Sequence, residues 1–192
     1  MSEKLYLSAQ GLLEDAFLLG KQIIESGFRP TLIVAIWRGA APIGIAVQEI
    51  LDYAGIETDH IAIRTSSYAS GIDQRAGSIR IHGMSYLIKY ASQEDRLLIV
   101  DDVFDTGHTI NAVIEHLQSK SRLNTPHDIR VAVPYYKPSR SQVARVPDYY
   151  LHETEQWIKF PHSLEGLTIE EIREHRPEIY NVIYNRAVAT TD

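Results

Sequence analysis

The chain has 192 residues, 44% hydrophobic and 23% charged, a composition ordinary for a globular protein of one domain. Its formal net charge of -6 argues against a general nucleic-acid binder, because Lys and Arg are not in excess to neutralise a phosphate backbone. The absence of cysteine excludes disulfides and thiolate metal sites. No basic region followed by an apolar core opens the sequence and no apolar run approaches membrane-spanning length, so we expect a cytoplasmic protein without a membrane partner.

The first part of the chain predicts a helix, a buried strand and a second helix. Apolar residues recur at helical spacing from Leu12 to Ile24. The stretch from Thr31 to Ile36 is β-branched and apolar, as in a parallel strand covered on both faces. A loop of mostly small residues, W-R-G-A-A-P at 37–42, separates it from a helical run between Ile43 and about Tyr53. Strand, short loop and helix in this order are typical of α/β proteins.

A third strand is predicted from His60 to Arg64, and a long polar loop from Thr65 to Gly77 follows it. The alternating segment Ile79 to His82 comes next. A loop of this length within a compact domain is either functional or disordered. Composition alone leaves a mobile hairpin and a functional lid equally open.

The most informative stretch is R-L-L-I-V-D-D-V-F-D-T-G-H-T, residues 96–109. Its apolar run, 97–100, predicts a buried parallel strand that ends where charge begins at Asp101. Apolar residues at helical spacing follow the glycine, at positions 110, 113, 114 and 117. The sequence therefore predicts a strand, a tight loop and a helix.

This loop has the chemistry of a phosphate site beside a sugar site. The start of a helix offers free amides and a positive dipole end, Gly107 permits close approach, and Thr106 and Thr109 add hydroxyl donors. Three carboxylates in the same loop would repel a phosphate unless they face sugar hydroxyls or a cation. The predicted ligand is a phosphorylated sugar with Mg²⁺. The alternative is an ordinary turn in which Asp105 caps the helix and the other two acids are solvated.

The remainder predicts a strand from Asp128 to Val133, a short extended piece at 147–151, a short helix from Leu167 to Arg173 and a tyrosine-rich tail. We expect one domain over 1–192, with a core of about 1–136, a carboxyl-terminal segment of about 137–176 and a tail of 177–192. The expected fold is α/β, with a mostly parallel central sheet flanked by helices. The eight histidines form no metal-binding motif such as H-E-x-x-H.

The apolar run followed by D-D-x-x-D-T-G-x-T resembles the phosphoribosyl pyrophosphate loop of the type I phosphoribosyltransferases. The resemblance implies that Asp105 to Thr109 hold the 5-phosphate and that Asp101 and Asp102 hold the ribose hydroxyls and Mg²⁺, directly or through water. The implied phosphoribosyl-binding residues are Asp101, Asp102, Asp105, Thr106, Gly107, His108 and Thr109. Asp105 is also the implied catalytic acceptor of a purine proton.

The resemblance extends to two other loops. Arg38 and Gly39 occupy the place of the family's pyrophosphate loop, although Trp37 precedes the arginine and Ala40 stands where a second glycine is common. A guanidinium suits this role because it binds phosphate oxygens through two hydrogen bonds. The segment Ser66-Ser67-Tyr68 resembles the opening of the family's flexible hood, which implies a lid that excludes water from a reactive sugar cation.

Within the segment of about 137–176, Y-K-P-S-R at 136–140 and D-Y-Y-L-H-E-T-E-Q-W-I at 148–158 resemble the small base-binding hood lobe of the family's purine branch, which acts on xanthine, guanine or hypoxanthine. The resemblance implies that Lys137 meets the 6-oxo group of a purine, that Trp157 stacks on the base and that the carbonyl of Ile158 accepts a hydrogen bond. The implied reaction joins phosphoribosyl pyrophosphate to a 6-oxopurine in purine salvage and releases pyrophosphate. The alternatives are a uracil or orotate phosphoribosyltransferase and a non-catalytic regulator that senses phosphoribosyl pyrophosphate. The family also implies a homodimer or homotetramer.

Overall fold

The computed structural model describes residues 4–67 and 79–185. The elements in these ranges are β1 (Lys4–Tyr6), α1 (Ala9–Glu25), β2 (Leu32–Trp37), α2 (Ala41–Tyr53), β3 (Asp59–Ser67), β4 (Ile79–His82), α3 (Ser85–Tyr90), β5 (Arg96–Val100), β6 (Val103–Phe104), α4 (His108–Ser121), β7 (Asp128–Tyr136), β8 (Tyr149–Glu153), β9 (Trp157–Lys159), α5 (Ile169–His175) and α6 (Pro177–Tyr184). None of these helices combines the length and apolar character needed to span a membrane.

The chain divides into two compact units, residues 10–155 and a smaller unit that combines 1–9 with 156–192. The larger unit contains a seven-stranded sheet in the order β4-β3-β2-β5-β7-β6, with β8 also paired to β7. Every pairing in it is parallel except that of β3 with β4. The expected α/β fold with a mostly parallel sheet flanked by helices is confirmed.

The centre of this sheet is β5, as its unbroken apolar run predicts. Its residues 97–100 are completely buried, because parallel partners lie on both sides and helices cover the sheet. The apolar face of α4 is buried as well, with Val113 and Leu117 fully inaccessible. The strand, the loop after it and the helix are therefore held by the core, which fixes the position of the loop between them.

Two predicted boundaries were wrong because strand pairing overrides local composition. The strand predicted to stop at Arg64 continues to Ser67, where antiparallel pairing with β4 places Thr65 opposite Ile81. Ser66 and Ser67 are thus strand residues, and Tyr68 lies outside the described residues. The strand predicted to end at Val133 runs through Pro134 to Tyr136, since the residues after the proline pair with β6 and β8.

In the smaller unit, β1 pairs in parallel with β9, so that Lys4 lies opposite Trp157 and Tyr6 opposite Lys159. The helices α5 and α6 follow β9 along the chain. A capping box at Thr168 and Glu171 begins α5, because each side chain accepts from the backbone amide of the other residue. The first strand of the chain therefore belongs with the carboxyl-terminal segment.

Candidate active site

The loops after β2 and β5 meet at one edge of the sheet. The two strands are parallel neighbours, with Ala35 opposite Val100, so both loops leave from their carboxyl ends. The contact is tight: a Cβ added to Gly39 would lie 1.8 Å from Oδ2 of Asp102. The structure thus brings together the predicted pyrophosphate loop and the predicted ribose loop.

The loop after β5 leads directly into a helix N-terminus. Gly107 precedes α4 with a left-handed φ of 79°, a conformation in which glycine is strongly preferred. A Cβ here would also lie 2.3 Å from Cγ2 of Val143. Asp105 is not the helix cap, so the alternative of a simple Asp-capped turn is wrong. The first amides of α4 have no acceptor within the helix and are suited to an anion.

A cavity of about 210 Å³ lies in this loop. It is lined by Asp101, Asp102, Val103, Phe104, Asp105, Thr106, Gly107, Thr109 and Ile110. Of the residues predicted to bind the phosphoribosyl group, His108 alone is not in the lining. Its ring is exposed and its Nε2 lies 2.9 Å from Oε1 of Gln142, so the side chain is engaged elsewhere.

Asp101 and Asp102 place two carboxyl groups side by side at the end of β5, where ionisation of both is unfavourable. Burial raises the pKa of Asp101 well above its ordinary value, and the neighbouring carboxylate raises it further. Burial also raises the pKa of Asp102. The amide of Asp102 donates to Oδ1 of Asp101 at 3.0 Å. A cation or a set of hydroxyl donors would stabilise the two charges at this position.

The carboxylates of Asp101 and Asp102 suit a Mg²⁺ ion whose remaining ligands are water and substrate oxygens. In the described ranges, no group of three or more His, Cys, Asp or Glu side chains could hold a metal ion by itself. Mg²⁺ typically uses one or two carboxylates and completes its shell with water and substrate phosphates. Asp101 and Asp102 supply that number of carboxylates beside the cavity.

Asp105 lies between two cationic side chains. Its Oδ1 is 2.6 Å from Nε of Arg140, and its Oδ2 is 3.8 Å from Nζ of Lys137. Lys137 is 4% exposed, and its amide donates to the carbonyl oxygen of Phe104 at 2.9 Å, which ties the end of β7 to the loop. The structure thus places Lys137 beside the predicted catalytic acid.

Arg140 was missed by the sequence analysis. It ends the short 3₁₀ turn Pro138–Arg140, which starts directly after Lys137. The segment Y-K-P-S-R could have predicted that Arg140 lies near Lys137, since residues three apart in a 3₁₀ turn share a face. A basic residue three positions after Lys137 was therefore able to approach the same partner.

The predicted pyrophosphate loop has a backbone that accommodates its unusual residues. Ala40 is fully buried and precedes α2 with φ -74° and ψ -12°, a right-handed conformation that requires no glycine. The Trp37–Arg38 peptide bond is cis. Trp37 is 55% exposed and Arg38 is also exposed.

The predicted base-binding residues are divided between the two units. Lys137 belongs to the larger unit, whereas Trp157 and Ile158 are consecutive residues of β9 in the smaller one. The indole of Trp157 is 52% exposed, whereas the side chain of Ile158, on the opposite face of the strand, is buried. An exposed indole on a paired strand supplies a rigid surface for stacking.

A mostly parallel α/β sheet with an acidic D-D-x-x-D-T-G loop at its carboxyl edge defines the type I phosphoribosyltransferase class. The family model described as phosphoribosyl transferase domain matches residues 6–167, and the chain belongs to this family. No curated protein matches the sequence. The family match and a 28% identical purine phosphoribosyltransferase confirm the predicted resemblance to the type I class and its purine branch.

Solved structures share the fold over most of the chain. Purine phosphoribosyltransferase from Pyrococcus horikoshii Ot3 is 28% identical, with a TM-score of 0.67 over 86% of this chain and 97% of that one. A hypothetical protein from Neisseria gonorrhoeae with bound ppGpp is 17% identical, with a TM-score of 0.71 over 95% and 98%. Xanthine-guanine-hypoxanthine phosphoribosyltransferase from Helicobacter pylori is 21% identical, with a TM-score of 0.64 over 82% and 92%.

Proposed function

We propose that the protein transfers the 5-phosphoribosyl group of phosphoribosyl pyrophosphate to a 6-oxopurine in purine salvage. The acceptor is hypoxanthine, guanine or xanthine, and the products are the purine mononucleotide and pyrophosphate. The observation that carries the proposal is the cavity at the start of α4, where phosphate-binding amides adjoin three carboxylates and Asp105 adjoins Lys137. The 28% identical purine phosphoribosyltransferase supports a purine as the acceptor.

The 5-phosphate binds at the start of α4. Backbone amides and the hydroxyls of Thr106 and Thr109 donate to its oxygens, and the helix dipole favours its charge. Asp101 and Asp102 accept from the ribose hydroxyls. Arg38 and the backbone at Gly39 bind the pyrophosphate on the neighbouring loop.

Asp101 and Asp102 also hold Mg²⁺, directly or through water. When bound, the ion would supply positive charge beside the pyrophosphate. This arrangement explains why the chain places two acids at a strand end where burial raises the pKa of both.

The bond from the anomeric carbon to pyrophosphate breaks as the purine nitrogen forms the new bond. Positive charge develops on the sugar ring, and the carboxylates that line the cavity stabilise it. Asp105 accepts the N7 proton of the purine. Arg140 and Lys137 hold the carboxylate of Asp105 in place.

The lysine favours an oxo group at position 6 of the base. An ammonium only donates hydrogen bonds, so Lys137 recognises a carbonyl oxygen and rejects the amino group of adenine. Trp157 stacks on the base, and the main-chain carbonyl of Ile158 accepts from N1-H or an exocyclic amine. Ser66 and Ser67 end β3, and the rest of the segment predicted as a lid lies outside the described residues.

The test is a substrate panel. The protein is incubated with Mg²⁺, phosphoribosyl pyrophosphate and one base at a time, namely hypoxanthine, guanine, xanthine, adenine, uracil or orotate, and pyrophosphate release is measured. We expect turnover with 6-oxopurines. Turnover confined to adenine or a pyrimidine would refute the base assignment. Binding of phosphoribosyl pyrophosphate without turnover of any base would favour a sensing regulator.

A further inference from the structure

A buried lysine lies on the same face of β9 as the exposed indole. Lys159 follows Trp157 by two residues, and alternate residues of a strand point to the same side. The side chain of Trp157 is 52% exposed, whereas Lys159 is only 6% exposed. The ammonium lies 5.6 Å from the centroid of the indole ring, within the range of a cation–π contact.

The following loop fixes the position of this ammonium. Nζ of Lys159 donates to the carbonyl oxygen of Glu165 at 2.8 Å. Gly166 turns the chain there with φ 69°, and a Cβ on it would lie 3.2 Å from the same Nζ. Lysine is almost never buried to this extent without a specific partner. The loop therefore holds a charge against one aromatic ring.

We propose that Lys159 is a positioning residue for Trp157 and that it orients the indole for stacking on the purine. The inference rests on the proposed function, in which Trp157 stacks on the base. The ammonium attracts the electron-rich face of the indole and restricts rotation of the ring about its side-chain bonds. A planar base then binds to an indole that is already oriented, with less entropy to lose on binding.

The kinetic test compares Lys159→Met with Lys159→Arg. Methionine retains a long flexible chain and removes the charge, so we expect the KM for hypoxanthine to rise by about fivefold to tenfold. The KM for phosphoribosyl pyrophosphate and kcat should change less than about twofold, because the sugar site lies on other residues. Arginine should restore the KM for the base, since a guanidinium also binds an aromatic face.

Lys89→Met is the matched control. The ammonium of Lys89 lies 4.8 Å from the ring centroid of Tyr90, and both residues are exposed on α3. Removing the ammonium of Lys89 eliminates a cation–π pair of the same type, and this pair has no part in the proposed base site. All kinetic constants of this variant should match those of the parent protein, and a raised KM for hypoxanthine here would refute a specific role for Lys159.

A spectroscopic test requires no turnover. The chain contains two tryptophans, so Trp37→Phe leaves Trp157 as the sole tryptophan, which is excited selectively at the red edge of the absorption band where tyrosine does not absorb. In this background, time-resolved fluorescence anisotropy should show faster and wider motion of the indole in Lys159→Met, and Lys159→Arg should restore the slower motion. If no 6-oxopurine is a substrate, the proposed function fails, whereas the anisotropy still determines whether Lys159 orients the ring.

Three further outcomes would overturn the inference. They are an unchanged KM for hypoxanthine in an active Lys159→Met protein, unchanged anisotropy of Trp157 in that variant, and loss of cooperative unfolding in both Lys159→Met and Lys159→Gln. The last outcome would assign Lys159 to the stability of the smaller unit instead of to the orientation of the indole.

Discussion

Replacing Gly39 by alanine is expected to displace the carboxylate of Asp102 and to impair catalysis without unfolding the protein. The added Cβ would lie 1.8 Å from Oδ2 and 2.4 Å from Cγ of Asp102. To restore an ordinary contact of 3.4 Å, the carboxylate must move by about 1.6 Å. A displacement of about 1 Å in a site that positions substrate can reduce the rate by about 10²-fold, or about 2.7 kcal/mol of barrier.

The assay is steady-state kinetics with phosphoribosyl pyrophosphate as the varied substrate. We expect kcat/KM to fall by about 10²-fold in Gly39→Ala, while the thermal midpoint shifts by only a few degrees. Gly27→Ala is the contrasting control. A Cβ at that position meets nothing within 4 Å, but φ is +80°, so stability should fall by about 1 kcal/mol with kcat/KM unchanged.

A double-mutant cycle tests whether Asp102 transmits the effect. In an Asp102→Ala background the clashing carboxylate is gone, so Gly39→Ala should cost little further activity. If Gly39→Ala reduces kcat/KM by the same factor with and without the carboxylate, the two loops are not coupled through this contact. The reasoning from the 1.8 Å approach would then be refuted.

Three further predictions concern the phosphate loop, the proton acceptor and the smaller unit. Gly107→Ala should lower the free energy of unfolding by about 2 kcal/mol, as measured by urea denaturation, because φ is +79° and the added Cβ would lie 2.3 Å from Val143. Asp105→Asn should reduce kcat by about 10²-fold to 10⁴-fold in stopped assays while phosphoribosyl pyrophosphate still binds, and a normal rate would exclude it from proton transfer. Lys4 holds the pKa of Glu171 at about 2, below its ordinary 4.5, so its stabilisation is complete above pH 4.5 and is lost as the pH falls towards 2. Glu171→Gln should therefore make unfolding of the smaller unit less dependent on pH between about 5 and 2, and an identical pH profile would contradict this assignment.

The acidic pair at the end of β5 shows how function opposes stability at this site. Burial and mutual repulsion raise the pKa of Asp101, so its ionised form at neutral pH destabilises the folded state relative to the unfolded chain. This contribution becomes more unfavourable as the pH rises from the pKa of Asp101 in the unfolded chain to its raised pKa in the folded state. A bound cation or ribose hydroxyls would reverse the balance, which is consistent with a site shaped for its ligand.

The sequence by itself determined the central β-loop-α unit and the chemistry of its loop. These features depend on neighbours along the chain: an apolar run predicts a buried strand, helical spacing predicts α4, and small residues between them predict a tight turn. The chemistry of the acids, hydroxyls and glycine at 101–109 follows from the residue types alone. The α/β fold followed from repetition of the same unit, and the family match confirmed it.

Only the tertiary structure decided which distant residues meet. The contact of Gly39 with Asp102, the approach of Arg140 to Asp105 and the pairing of β1 with β9 all join segments that are remote in sequence or belong to different elements. Such contacts depend on strand order and register, which are set by packing of the whole sheet and not by local periodicity. For the same reason, pairing with β4 extended β3 to Ser67 beyond its predicted end, although the local composition there favours a loop.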